Sequence, residues 1–186
     1  MIQNALHYFE SIPKNTPQGH WHSLWFLPEG EQRKQYEALL KGFQGIFVSP
    51  PFVPHMTFVG TLTHDRVKIL EQTEEIASKH KPFTVKLGQF VSEDNYFRPI
   101  VAYGDEPEEL KKLHTYAKEA LKWNYPTFRP HVSMFYGNVP DSVKKALIEE
   151  LGGALDSEYH VPGITVFDSK ITEKIWEPIG YFPFKG

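Results

Sequence analysis

Two short stretches of the chain are versions of one another: Phe52-Val53-Pro54-His55-Met56-Thr57-Phe58 and Phe128-Arg129-Pro130-His131-Val132-Ser133-Met134. Phe, Pro and His recur in register, a hydroxyl residue stands two places after each His, and each half of the chain carries one copy. In a β-strand, residues i and i+2 project to the same side. The spacing therefore predicts His55 beside Thr57 and His131 beside Ser133, with Met56, Phe58, Val132 and Met134 turned to an apolar back. Each Pro lacks an N–H, which suits the start of a strand. Two imidazoles on opposite sides of a scissile bond can divide the proton transfers of a hydrolysis. One takes a proton from water and the other delivers one to the leaving oxygen. Histidine, with an ordinary pKa of ~6.5, suits both tasks near neutrality. A hydroxyl beside each ring can donate to a non-bridging phosphate oxygen, where transition-state charge gathers. His55 and His131 are thus the candidate acid and base, and Thr57 and Ser133 the candidate phosphate ligands. The scheme needs no metal, cofactor or covalent nucleophile. A lone His-x-Thr carries almost no information; a pair sharing Phe and Pro, one in each half, carries a great deal.

Composition bounds the rest. The chain has 186 residues, 40% hydrophobic and 15% aromatic, enough for one sizeable core or two small lobes sharing an interface. A formal charge of −3 speaks against the broad basic footprint of a protein that binds long nucleic acid, though not against a small phosphorylated ligand. There are no cysteines, so disulfides, thiolate metal sites and a cysteine nucleophile are excluded. No apolar run approaches the ~18 residues of a membrane span. In residues 1–20, Asn4, His7, Glu10, Lys14 and Asn15 interrupt any signal-peptide core. The default expectation is a soluble, cytoplasmic monomer.

The elements that must position the motifs can be read from periodicity. Residues 1–20 read as an N-terminal extension and 21–186 as a single two-lobed domain. A strand is expected over 22–27, ended by Pro28. A helix follows over 29–43, with Tyr36, Leu39, Leu40 and Phe43 on one stripe and Gly42 and Gly45 stopping it. After the first motif strand, to about residue 62, comes a helix over 63–80 with Ile69, Thr73, Ile76 and Ala77 inward, then a strand over 83–91. The second half repeats the order. A strand is expected over 96–103. A helix opened by Asp105-Glu106-Pro107-Glu108 as a capping box buries Leu110, Leu113, Ala117 and Ala120. A loop leads to the second motif strand. A helix capped by Asp141 turns Val143, Ala146, Leu147 and Leu151 inward. Strands over 161–170 and 174–184 close the chain. The order β-α-β-α-β, then β-α-β-α-β-β, with a motif on the middle strand each time, implies an α+β fold. It has two pseudo-symmetric lobes, each a mostly antiparallel sheet with outer helices, and the motifs meet across a central cleft.

The paired motifs resemble the two His-x-Thr/Ser motifs of the 2H phosphoesterase superfamily. Within it the chain is similar to the small cyclic nucleotide phosphodiesterases of plants and yeast. Ser23-Leu24-Trp25-Phe26-Leu27-Pro28 resembles that family's first strand, Tyr136 a tyrosine of its site, and Trp176-Glu177 its last strand. The likeness spans about residues 22–184 and leaves the first 20 unaccounted for. It implies the two-lobed 2H phosphoesterase (LigT-like) fold and hydrolysis of nucleoside 2′,3′-cyclic phosphates or of ADP-ribose 1″,2″-cyclic phosphate, a by-product of tRNA splicing. The product would carry a 2′-phosphate or a 1″-phosphate. Tyr136 and Trp25 would contribute to substrate binding, Tyr136 by stacking on a base. Tyr136 is three places from Ser133, so a bend near Gly137 is needed to bring it to the cleft. Two other readings stand beside this one: a 2H enzyme acting on RNA ends, 2′,5′-oligoadenylate or cyclic oligonucleotides, and a non-catalytic nucleotide-binding module. The second leaves two proton-transfer groups without a use.

The remaining candidates are weaker. His20-Trp21-His22 offers two metal ligands on one strand face but no third at a diagnostic spacing, so no metal site is expected. His7, His64, His80, His114 and His160 read as surface histidines. Arg98 and Arg129 can add positive potential for a phosphate or serve as solvated rim charges. Tyr96 and Phe97 read as core before pocket edge.

Overall fold

The computed structural model describes residues 21–47, 49–123, 128–152, 154–170 and 175–186. In chain order the elements are β1 (Trp21–Phe26), α1 (Gly30–Ile46), β2 (Met56–Leu62), α2 (Arg66–Ser78), β3 (Phe83–Ser92), β4 (Ile100–Gly104), α3 (Glu108–Ala120), β5 (His131–Ser133), α4 (Asp141–Glu150), β6 (Ala154–Val161), β7 (Gly163–Lys170) and β8 (Ile175–Pro183). The strands make two four-stranded sheets, β2-β1-β7-β8 and β5-β4-β3-β6, in which every neighbouring pair is antiparallel.

The two sheets have the same plan. A motif strand lies at one edge, β2 in one and β5 in the other, and a strand from the opposite half of the chain lies inside. The lobes are therefore not the two halves of the sequence, which corrects the simple reading of the repeat. β3, from the first half, sits in the second sheet between β4 and β6. Only Pro162 separates β6 from β7, and one residue cannot reverse a chain into a hairpin, whose shortest common loop is two residues. β7 consequently runs on into the other sheet, beside β1. The strand β6 is additional to the sequence expectation. The polar run Asp156-Ser157-Glu158 masks its alternation in the sequence, as suits an edge strand that pairs only with β3.

One apolar core joins both sheets. Leu24, Phe26, Met56, Phe58 and Val59 from the first pack in one cluster with Val85, Leu87, Ile100, Val132 and Tyr159 from the second. Tyr159 is fully buried, and its hydroxyl crosses between the sheets to donate to the Phe26 carbonyl at 2.8 Å.

The helices cover the outside, and their inner faces follow the 3.6-residue period. Ile69, Thr73, Ile76 and Ala77 are buried on α2, and Leu110, Leu113 and Ala117 on α3. Four local expectations fail. α1 runs through Gly42 and Gly45 to Ile46, because glycine weakens a helix without ending it. Asp105 does not cap α3; its carboxylate accepts from the Lys86 amide at 2.7 Å, and the cap position is Pro107. On α4 Leu147 and Leu151 pack against the core as expected, but Val143 and Ala146 are exposed and Lys144 is buried instead. The Lys144 ammonium pairs with Asp141 at 2.6 Å and donates to the Glu93 carbonyl at 2.9 Å, so Asp141 serves as a partner in the first turn instead of a cap.

Candidate active site

The strand spacing sets the site. Thr57 is the cross-strand partner of Trp25, and the Trp25 ring stacks on His55 with centroids 3.6 Å apart and planes within 8°. His55, which immediately precedes β2, thus lies on the same side as Thr57, while Met56 and Phe58 are buried behind. In the second copy Tyr103 faces His131 and Val101 faces Ser133 across β4–β5, with Val132 and Met134 fully buried. The motif strands β2 and β5 come into contact with each other, so the two sheets meet along the edges that carry the histidines.

Each imidazole is held by the same local device. His55 Nδ1 lies 2.8 Å from the Val53 carbonyl and His131 Nδ1 2.7 Å from the Arg129 carbonyl, in both cases two residues back. A carbonyl only accepts, so Nδ1 carries the proton in both rings and Nε2 is left as the nitrogen that can take or give one. A carbonyl partner on one nitrogen also fixes each ring's orientation.

The surroundings of the two rings differ. His55 is 6% exposed, stacked on Trp25 and edged by Phe52 at 5.8 Å, and Trp25 stacks in turn on Phe167 at 3.9 Å. Burial pushes its pKa down to about 4, against a smaller upward pull from the Val53 carbonyl; the charge of His131 pushes it further down. His131 lies among polar groups. Its ring centroid is 5.8 Å from that of Tyr103, over which the Arg129 guanidinium stacks at 3.8 Å. Burial lowers its pKa as well, the Arg129 carbonyl raises it, the charges of Arg98 and Arg129 lower it and Glu93 raises it.

The other predicted site residues are all placed near this pair. Thr57 is half-buried, and its hydroxyl has no protein hydrogen-bond partner among the described residues. Ser133 donates its hydroxyl proton to the Phe97 carbonyl at 2.9 Å, so it must rotate to serve a ligand. Tyr136 comes to the cleft because β5 stops at Ser133, ending strand alternation before the tyrosine, and Gly137 follows at φ +155. Its ring stacks face to face on Phe52 at 4.1 Å, and Phe97 and Trp176 approach it edge-on. Trp25 is buried, its ring covered by His55 and Phe167, and acts as a wall behind His55. Sequence reasoning missed Phe52 as a contact between the motifs, and it missed Glu93 and Tyr103. The recurring Phe was the available signal, but it divides: Phe128 leaves the cleft and stacks on His114 at 4.9 Å.

Of the other histidines, His160 is exposed, whereas His64, His80 and His114 are half-buried against the body. His22 is buried in β1 opposite Asp168. His7, His20 and the whole 1–20 extension lie outside the described residues. Among the described residues no group of three or more His, Asp or Glu is placed to hold a metal ion, and no helix is long and apolar enough to cross a membrane.

With this geometry in place, comparison with known proteins is decisive. The family model described as cyclic phosphodiesterase-like protein matches residues 21–164, a span that contains both motifs. The chain belongs to this family. It is a phosphodiesterase of the cyclic phosphodiesterase-like type. A relative from Phaeosphaeria nodorum (strain SN15), a 2′,3′-cyclic-nucleotide 3′-phosphodiesterase, is 30% identical over 148 residues, which cover 69% of this chain and 76% of the relative. Among solved structures, TT0787 of Thermus thermophilus superposes with a TM-score of 0.64 at 15% identity, covering 89% of this chain and 98% of its own. LigT of E. coli in its apo form superposes with a TM-score of 0.61 at 14% identity, covering 91% of this chain and all of LigT. These likenesses show that the α+β, two-sheet architecture of this cyclic phosphodiesterase-like chain is the LigT-like fold.

Proposed function

We propose that this cyclic phosphodiesterase hydrolyses a ribose cyclic phosphate, either a nucleoside 2′,3′-cyclic phosphate or ADP-ribose 1″,2″-cyclic phosphate, by acid–base catalysis between His55 and His131 without a metal. The observation that carries the reading is the matched pair of Nδ1–carbonyl bonds, which leaves Nε2 of each ring to move a proton. Water attacks phosphorus and one imidazole takes its proton. The P–O3′ bond breaks, or P–O2″ in the ADP-ribose compound, and the other imidazolium protonates the departing sugar oxygen. The phosphate stays on O2′, or on O1″ for the ADP-ribose compound. Thr57, and Ser133 after rotation away from Phe97, donate to the non-bridging oxygens. Trp25 holds the His55 ring in place, and the Phe52–Tyr136 pair offers an aromatic face for a base. The name of the Phaeosphaeria relative, a 3′-phosphodiesterase of 2′,3′-cyclic nucleotides, supports the same bond choice. The test is incubation with adenosine 2′,3′-cyclic phosphate in excess EDTA, with the phosphate position of the product read by NMR or chromatography. Adenosine 2′-phosphate is expected at the same rate as without chelator. Activity abolished by EDTA and restored by zinc or manganese would overturn the two-histidine scheme.

A further inference from the structure

The surroundings of the second histidine hold more charge than the proposed chemistry uses. The turn over 93–99 is tied to the second motif at several points: the Phe97 carbonyl accepts from Ser133 Oγ, the Tyr96 carbonyl accepts from the Gly137 amide at 2.9 Å, and the Glu93 carbonyl accepts from Lys144. Within this frame Glu93 is shared by two arginines. Its carboxylate lies 3.0 Å from Arg98 Nε and 3.8 Å from Arg129 Nη1, and it also accepts from the Tyr103 hydroxyl. One negative charge thus faces two positive ones. The neighbouring acid Asp94 makes no ion pair with either arginine among the described residues, and the Lys144 charge is matched by Asp141. Each guanidinium has five N–H donors in a fixed fork, and Glu93 engages one nitrogen of each. The side chains are 35% and 61% exposed, so both guanidinium groups are open to solvent, and both charges act on His131. The first motif has nothing comparable; Trp25, Phe167 and Phe52 occupy the corresponding surroundings of His55.

We infer that Arg98 and Arg129 form a second anion subsite that takes a phosphate esterified to the 5′ oxygen of the same ribose that carries the cyclic phosphate. This inference rests on the proposed function and narrows its substrate class. A 5′-phosphorylated nucleoside cyclic phosphate, the pyrophosphate-bearing ribose of ADP-ribose 1″,2″-cyclic phosphate and a cyclic-phosphate end of a short oligonucleotide all have that phosphate; a bare nucleoside 2′,3′-cyclic phosphate does not. Glu93 holds the two heads ready in the free protein, and the incoming anion balances the surplus charge.

Two measurements test it. The first compares kcat/KM for adenosine 2′,3′-cyclic phosphate with that for its 5′-phosphorylated form, in wild type and in the double variant Arg98→Gln/Arg129→Gln. Wild type is expected to favour the 5′-phosphorylated substrate by about tenfold or more, chiefly through KM, and less so at high salt. The variant is expected to lose that ratio, whatever common factor both substrates fall by. A wild-type ratio near one, or an unchanged ratio in the variant, overturns the subsite. The second measurement compares binding of adenosine 5′-monophosphate with that of adenosine by titration calorimetry, and so does not depend on turnover. Tighter binding of the monophosphate in wild type, lost in the variant, supports the subsite; equal binding overturns it. Selective binding of the monophosphate by a protein that hydrolyses neither cyclic substrate would overturn the proposed function and leave the subsite standing.

Discussion

At the scale of single residues, the site is a pair of like groups in unlike surroundings. Both imidazoles are held at Nδ1 by the carbonyl two residues back, yet His55 sits in an aromatic stack and His131 in a charged frame. Replacing either ring with alanine is expected to lower kcat by about 10²–10⁴, the range for loss of a general acid or base. The double variant should lose less than the product of the two, since the rings act as a unit. Thr57→Ala and Ser133→Ala should cost about 10–10³ each, following losses of single oxyanion donors; steady-state kinetics on the cyclic substrate reads all five variants. The pH profile follows from the direction of the shifts. Burial holds both histidines below the ordinary ~6.5 in the free protein, His55 down to about 4 and His131 lowered in the same direction. As pH falls through the lower value the proton acceptor is lost, and as pH rises through the upper one the donor is lost. The kcat/KM profile is therefore expected to be a bell with its optimum on the acid side of pH 6.5. In the bound complex the anionic phosphate favours the charged imidazolium, so the alkaline limb of kcat should lie higher, towards neutrality. The limbs belong to the coupled pair and not to either ring. A kcat/KM profile flat from pH 4 to 8, with chemistry rate-limiting, would rule out paired imidazole catalysis.

At the scale of elements, the structure tolerates locally poor choices where packing outweighs them. α1 contains two exposed glycines within its helical span, and a Cβ built at Gly42 or Gly45 meets no atom within 4 Å. Neither position has the positive φ that would need glycine. Gly42→Ala and Gly45→Ala are each expected to stabilise the protein by about 0.5–1 kcal/mol, visible as a raised denaturation midpoint at unchanged m-value. A loss of stability would show that α1 requires its glycines for a reason other than helix propensity. α4 shows the reverse case, in which half of a legible apolar stripe, Leu147 and Leu151, packs on the core and the other half is set aside. The Glu93 carbonyl and Asp141 satisfy a buried Lys144, and Val143 is left at the surface. α4 is thereby anchored to the turn that frames His131, which links an outer helix to the site.

At the scale of the whole molecule, the two sheets are bound together by strands exchanged between the halves of the chain, and the junction between β6 and β7 is the tightest point of that exchange. A Cβ at Gly163 would lie 2.4 Å from the Phe182 carbonyl oxygen and 2.8 Å from the Pro183 Cα, both backbone atoms. Gly163→Ala must therefore displace β8 from β7 and is expected to destabilise the fold by about 2 kcal/mol or more in urea denaturation. Tyr159→Phe, which removes the hydroxyl crossing to Phe26, should cost about 1–2 kcal/mol by leaving a buried carbonyl short of a donor. Because both positions join the sheets and neither touches the histidines, their effect on activity should follow the folded fraction.

The sequence by itself determined the local facts: the paired His-x-Thr/Ser faces, the apolar backs of their strands, the inner faces of α2 and α3, and the alternation of strands and helices. These are legible because strand and helix periods are properties of a few consecutive residues. Only the tertiary structure decided which strands share a sheet. Exchange of β3 and β7 depends on whether a connection can turn back, and the hydrophobic pattern of either strand suits both sheets. The same holds for the difference between His55 and His131. Two heptapeptides that share Phe, Pro, His and a following hydroxyl acquire an aromatic wall in one case and a Glu93-centred charge frame in the other, because Trp25, Phe167, Glu93, Arg98 and Tyr103 come from other strands and turns. Long-range neighbours set the surroundings of each imidazole, and no spacing within either motif encodes them.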